Sequence, residues 1–251
     1  MRSLVTGAAN GLGLALTRNL LTLGEVVGVD VDGERLEELA QLNVDRFEGR
    51  MCDLADPRAV TRLADRLEGP FDIAILNAGI SATGRFARIP VEAYERLVRV
   101  NVTAPLLLAQ RLVGDGLMAD RSTIVFISSL SHVTGYPGAS VYAATKDAVA
   151  IYAKSVRRPF KAQGVRVTCV FPGPVRTEHA ARHAPPGAKA SGRMPPDRLA
   201  KIIVRGARRG ERVLYPGGTA LTAYTFGSLV PGMMTRLMRR VILDRLDREV
   251  Y

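Results

Sequence analysis

The chain has 251 residues, 47% of them hydrophobic, enough for one sizeable buried core and too apolar for a disordered chain. The formal net charge is +11 and uneven: residues 1–175 carry 20 basic and 18 acidic side chains, residues 176–251 carry 15 and 6. That field favours anionic ligands or acidic surfaces, but no aromatic–basic interleaving or binding motif accompanies it, so nucleic acid is not an expected partner.

Met1-Arg2-Ser3 leads directly into an apolar strand, so the expectation is a chain without a leader, located in the cytoplasm. Residues 2–6 read as a strand, 7–13 as a glycine loop and 14–23 as a helix ended by Gly24. Strands follow at 26–29, 47–52 and 73–76, with helices at 33–42 and 57–67 between them. The stretch from 90 or 91 to 114 reads as one long helix with Pro105 as a kink. A β-branched and aromatic strand at 122–127 precedes a second long helix over 141–163. A strand at 165–171, a Pro/Gly-rich stretch from 172 to 196, a helix at 199–207 and a short strand at 212–215 complete the pattern. Strands alternating with helices predict an α/β fold: a doubly wound parallel sheet of about seven strands in a single domain spanning 1–251. Cys52 and Cys169 then fall in opposite halves of the sheet and read as free thiols of a reducing compartment; neither has metal-ligand spacing.

The loop Thr6-Gly7-Ala8-Ala9-Asn10-Gly11-Leu12-Gly13 lies between strand and helix, where a dinucleotide pyrophosphate sits in doubly wound folds. Gly7 allows the tight turn; Gly11 and Gly13 allow close approach of backbone and phosphate. Alone, such a loop is equally a plain strand-to-helix turn. Asp30, ending the second strand 17 residues after Gly13, supplies a carboxylate for the adenosine ribose hydroxyls. It repels a 2′-phosphate, Val31 offers no positive charge to hold one, and Asp32 adds a further negative charge. The expected cofactor is NAD.

Tyr142 and Lys146 stand four residues apart on one helix face. An ammonium near a phenol favours the phenolate and predicts a lowered tyrosine pKa, letting the tyrosine exchange a proton with an alcohol or carbonyl oxygen. Ser129, 13 residues before Tyr142, follows a strand end and is placed to bond the same oxygen.

With these residues in hand, the chain resembles the short-chain dehydrogenase/reductase family in its shorter, single-domain form, with a Rossmann-like fold. The match runs from Leu4 to about Thr177. Thr6-Gly7-x-x-x-Gly11-x-Gly13 resembles the family's cofactor loop. Asp53-Leu54 resembles the pair that contacts adenine, and Asn77-Ala78-Gly79 the motif that braces the sheet beside the cofactor. Asn101, Ser129, Tyr142 and Lys146 match the catalytic positions. Pro172-Gly173-Pro174-Val175-Arg176-Thr177 resembles the nicotinamide cradle, with Val175 and Thr177 nearest the carboxamide. The resemblance implies that Tyr142 is the general acid in reduction and base in oxidation. Lys146 tunes it and bonds the nicotinamide ribose, Ser129 orients the substrate oxygen, and Asn101 holds a water of the proton relay. It implies no metal, and a homodimer or homotetramer built on the two long helices.

Beyond the motifs the pattern thins. Ser131, His132, Val133 and Tyr136 are expected to line a substrate pocket with Ser129 and Tyr142, although His132 also reads as an ordinary polar loop residue. Residues 178–197 are expected to form a lid, whose His179, Arg182, His183, Lys189 and Arg193 suit an anionic substrate group. Residues 216–251 form an apolar and basic extension. It is a poor membrane span; residues 233–246 suit either packing on the body or a sister subunit, or weak peripheral contact with an acidic membrane. The leading expectation is an oxidoreductase for an alcohol/carbonyl pair of hydrophobic or anionic character. The alternatives are an NADP-dependent carbonyl reductase and a non-catalytic dinucleotide-binding regulator or scaffold.

Overall fold

The computed structural model describes residues 1–134, 136–188, 190–246 and 249–251. Its strands are β1 (Arg2–Thr6), β2 (Glu25–Asp30), β3 (Phe47–Met51), β4 (Phe71–Leu76), β5 (Met118–Ile127), β6 (Arg166–Val170) and β7 (Val213–Leu214). They form one parallel sheet in the order β3-β2-β1-β4-β5-β6-β7. Successive side chains of a strand point to opposite faces, so a strand covered on both sides must be apolar throughout. Leu4, Ala74, Leu76, Ile124 and Phe126 enter one core. Their neighbours Val5, Ile73, Ile75, Val125 and Ile127 enter the other.

Helices close both faces. α1 (Gly11–Leu21), α2 (Gly33–Leu42) and α9 (Pro196–Arg209) cover one face. α3 (Pro57–Asp65), α5 (Ala104–Gly114) and α7 (Ser140–Lys161) cover the other. Leu199 and Ile203 of α9 are fully buried, each worth about 1.5–3 kcal/mol of transfer free energy. This is the Rossmann-like α/β arrangement, and the strand order reverses between β1 and β4, where a crevice opens at the carboxyl ends. Both cysteines are buried free thiols, Cys52 after an edge strand and Cys169 in β6.

β5 starts at Met118 and α9 at Pro196, four and three residues before expectation, and three further elements differ. α1 starts at Gly11, three residues early, so Gly11 and Gly13 lie in its first turn. The long helix expected over 91–114 is broken: α4 (Val91–Val98) and α5 are joined by a π-turn, Arg99–Thr103. The break falls at Asn101 rather than Pro105, which sits harmlessly in the first turn of α5. The C-terminal region folds as two helices, α10 (Gly218–Leu229) and α11 (Pro231–Val241), with Pro231 opening the second. Two short helices complete the list: α6 (Ser131–Thr134) after β5, and α8 (Glu178–Arg182) inside the expected lid. Among the described residues no helix is long and apolar enough to cross a membrane.

Candidate active site

The glycine loop is built by close approach. Gly7 has φ +68°, and its N–H donates to the Val29 carbonyl at 2.7 Å, tying the turn to β2. A Cβ on Gly13 would lie 1.6 Å from the Gly7 carbonyl oxygen, so only glycine lets α1 start against the loop. Asn10 occupies the N-cap position without a capping bond from its side chain, which reaches Asp32 instead at 3.4 Å. The first-turn N–H groups of Gly11, Leu12 and Gly13 have no acceptor within the helix and face the loop, as a phosphate site requires. Asp30 accepts from Ala9 N–H at 2.9 Å and Val31 N–H at 2.8 Å, so the carboxylate also shapes the loop it borders. Asp53 accepts from Ala55 N–H at 2.9 Å and lies 3.7 Å from Arg96; Leu54 is buried in the core.

Asn77-Ala78-Gly79 locks β4 to β1. The N–H groups of Asn77 and Ala78 both donate to the Thr6 hydroxyl, at 3.0 and 3.1 Å, and the Asn77 amide donates to the Thr6 carbonyl at 3.0 Å. Thr6, read from sequence only as part of the loop, is therefore the hub of this joint. Across the crevice, Thr177 approaches Gly11 closely: a Cβ on Gly11 would lie 3.2 Å from its methyl group. Thr177 caps α8 by accepting from Ala180 N–H at 3.1 Å, and Val175 bridges Met194. The Pro172 carbonyl accepts from Leu130 N–H at 3.2 Å, and Gly173 lies against the Leu130 side chain. The segment from Pro172 to Thr177 thus runs between the end of β5 and the glycine loop.

The four residues with catalytic resemblance converge. Asn101 is buried; its side chain accepts from Ile80 N–H and donates to the Ile80 carbonyl, each at 2.9 Å, and reaches the Thr145 hydroxyl at 3.0 Å. Turning this amide out of the helix toward Ile80 accounts for the π-turn; such turns concentrate at functional sites. Lys146 is buried and donates to the Ile127 carbonyl at 3.0 Å. Gly79 is the floor beneath both: a Cβ there would meet Lys146 Nζ at 3.1 Å and Asn101 Oδ1 at 3.4 Å. Ser128, not singled out from sequence, fastens α7 to β5 by donating to the Lys146 carbonyl at 2.8 Å. Ser129 accepts from Ser131 N–H at 3.2 Å, and its hydroxyl acts on Tyr142 in the direction that favours the phenolate. The Lys146 ammonium lies 5.7 Å from the centre of the Tyr142 ring.

The expected direction of the tyrosine pKa is reversed. Burial pushes Tyr142 up to about 12, and the Ser129 hydrogen bond only partly offsets it. Burial also pushes Lys146 down to about 8. The ammonium is turned to the Ile127 carbonyl, and desolvation, with the Tyr136 phenol adding to it, sets the direction at Tyr142.

The remaining pocket residues divide. Tyr136 is half-buried with its ring 6.3 Å from that of Tyr142; burial pushes its phenol up, and Arg193 only partly opposes this. The Ser131 hydroxyl is buried without a hydrogen bond among the described residues. His132 pairs with Asp147 and packs on Phe171 at 5.3 Å, which braces α6 against α7. Lys189 and the Val133 side chain lie outside the described residues. In the lid, His183 is buried and hydrogen-bonds the Thr83 hydroxyl at 3.2 Å, and His179 packs against it at 4.6 Å. Burial holds His179 down to about 4, with His183 and the Lys146 charge adding to the effect; burial and Arg182 lower His183. Thr83, which no local pattern marks, also pairs its backbone with Val250, with N–H to O distances of 2.8 Å both ways.

The short chain dehydrogenase family model matches residues 2–186. This chain belongs to the short-chain dehydrogenase family. It is 31% identical over 186 residues to the 2-(R)-hydroxypropyl-CoM dehydrogenase of Xanthobacter autotrophicus, a match covering 70% of this chain and 74% of that one. It is similar to a solved short-chain dehydrogenase from Sphingobium yanoikuyae in complex with NADPH, with TM-score 0.76, 29% identity and coverage of 93% and 95% of the two chains. A bulky-bulky ketone specific alcohol dehydrogenase from Comamonas testosteroni superimposes with TM-score 0.74 at 25% identity, covering 93% of each chain. A nicotinamide dinucleotide fits the geometry of this member of the family: the Gly7–Gly13 backbone approach and the open first turn of α1 suit a pyrophosphate, and Asp30 suits a ribose.

Proposed function

We propose that this protein transfers a hydride between NAD(H) and an alcohol/carbonyl substrate, with Tyr142 as proton donor and acceptor. The observation that carries the reading is the convergence on Tyr142 of Ser129, whose hydroxyl favours the phenolate, and the Lys146 ammonium at 5.7 Å from its ring. When bound, the nicotinamide supplies or accepts the hydride. The protein's share is the proton and the position of the reacting oxygen. Because Ser129 accepts from Ser131 N–H, its proton is directed to the Tyr142 side, where a substrate oxygen bound beside the phenol would take it over. In reduction Tyr142 gives its proton to the carbonyl oxygen; in oxidation it takes one from the alcohol. Lys146 keeps donors beyond the one spent on Ile127 and offers them to the nicotinamide ribose. Asn101, fixed on Ile80 and Thr145, positions the water that carries the proton onward from Lys146.

Asp30 supports NAD over NADP, because a carboxylate bordering the loop repels a 2′-phosphate. Arg35, in the first turn of α2, is paired with Asp32 at 3.6 Å. The NADPH carried by the Sphingobium relative favours the other reading, so the test compares both cofactors. A panel of ketones and alcohols, weighted to bulky and apolar compounds, is followed by nicotinamide absorbance with NADH and NADPH. Faster turnover with NADH, and a narrowed preference in Asp30→Ala, supports the proposal. Higher kcat/KM with NADPH rejects the NAD assignment, and absence of turnover with both rejects the enzymatic one. Val98 and Ile151 leave apolar surface exposed on α4 and α7, which supports a dimer or tetramer built on these helices.

A further inference from the structure

The family match ends at residue 186, and the reaction above uses nothing beyond the lid. The C-terminal helices carry a feature of their own. Leu229 at the end of α10 is 80% exposed; Met233, Leu237 and Val241 on α11 are 53%, 50% and 45% exposed. The last three follow at four-residue intervals and form one stripe along the helix. Met234 faces the protein beside them, so the stripe is not the buried side of the helix. Arg236 and Arg240 each precede a stripe residue by one position and border it on the other flank. Arg239 lies further round and is exposed, 3.6 Å from Asp244. α11 contains these three arginines and no acidic residue, and α10 contains no charged residue at all. A shallow groove of about 490 Å³ between the two helices, lined by Thr222, Thr225, Phe226, Leu229 and Met234, opens beside the stripe.

We propose that this surface docks on an anionic lipid bilayer, with the Leu229–Val241 stripe in the acyl boundary and Arg236, Arg239 and Arg240 at the headgroups. An apolar stripe alone does not name its occupant; the charges do. A second copy seated on the same patch would bring two rows of arginine together across a two-fold axis with little acid to neutralise them. An anionic bilayer satisfies both halves of the surface: apolar side chains enter the boundary and each arginine meets negative headgroups. The docked face also lies near the chemistry. α10 and α11 both pack on α6, which begins two residues after Ser129, and Leu243 and Leu246 lie against Gly138, just before α7. Docking there sets the substrate pocket over the source of a membrane-dissolved ketone or alcohol.

The test is co-sedimentation of the full chain with vesicles, which needs no turnover and so stands or falls separately from the proposed reaction. Vesicles of phosphatidylcholine alone are compared with vesicles containing phosphatidylglycerol, at low and high salt. Binding is expected to the anionic vesicles at low salt, and salt should weaken it. R236Q/R239Q/R240Q should lower the affinity roughly 100-fold, at about fivefold per arginine. Leu237→Asp should abolish pelleting. Unchanged circular dichroism and NADH binding show that the variants are folded. No pelleting of the wild type at low salt overturns the proposal. So does undiminished binding by the triple arginine variant. Self-association in solution that Leu237→Asp dissolves, without vesicle binding, assigns the face to a second copy and overturns it as well.

Discussion

At the carboxyl ends of β1, β4 and β5, polar side chains are held by the backbone: Thr6 by two N–H groups of the next strand, Asn101 by both polar groups of Ile80, Lys146 by the Ile127 carbonyl. In residues 216–251 the reverse holds, with apolar side chains presented outward and arginines beside them. The first region fixes a geometry; the second presents a surface. Chemistry that depends on tenths of an ångström sits on strand ends whose register both cores enforce.

The sharpest way to break this contrast is Tyr142→Phe. It removes the proton and little packing, so kcat/KM should fall by about 10²–10⁴-fold while NADH affinity, measured by fluorescence titration, stays constant. Wild-type turnover retained in this variant removes Tyr142 from the chemistry. The raised tyrosine pKa adds a direction: alcohol oxidation should accelerate as pH rises through the neutral range, and carbonyl reduction should not.

Next in size is Asn101→Ala. It leaves the Ile80 N–H and carbonyl unpaired, each worth about 1–3 kcal/mol, and denaturant titration should register the loss. A stability within error of wild type would mean that the π-turn is held by something else.

The histidine pair gives a smaller and pH-dependent effect. His179 and His183 have folded pKa values below the ordinary 6.5, so the unfolded chain binds protons first as pH falls. Their neutral forms stabilise the fold above about 6.5, and that contribution drains away toward about 4. In H179Q/H183Q the melting temperature should fall less over this interval than in the wild type; an unchanged slope rejects the assignment. Smallest is Arg182→Ala with Arg193→Ala, expected to raise KM for anionic substrates roughly two- to tenfold and leave neutral ones alone. An equal rise for both would mean the arginines only shape the lid.

The same contrast explains what was legible in the sequence. The strands, the glycine loop and the Tyr142–Lys146 spacing are local patterns, and each is where periodicity and turn chemistry put it. The π-turn is not, because its cause is a bond between Asn101 and Ile80, 21 residues apart. The Thr83–His183 bond spans 100 residues and leaves no local trace. The spacing brings Tyr142 and Lys146 together in the structure, but the tyrosine pKa moves against expectation, because spacing reports a neighbour and not the depth of burial. α10 carries no charge, and its apolar residues fall on all sides, so it lacks the amphipathic signal that made α9 easy to see.

Thr83 joins three pieces of chain at once: its hydroxyl holds the lid histidine, its backbone holds Val250, and it lies just beyond the Asn77-Ala78-Gly79 joint. Through Thr83, the segment that carries His183 and the end of the chain at Val250 are fastened to one residue. Removing the Thr83 hydroxyl with Thr83→Val should therefore raise deuterium uptake at His183 and leave the Val250 backbone pair protected, and equal uptake at both would mean that the two contacts are one unit.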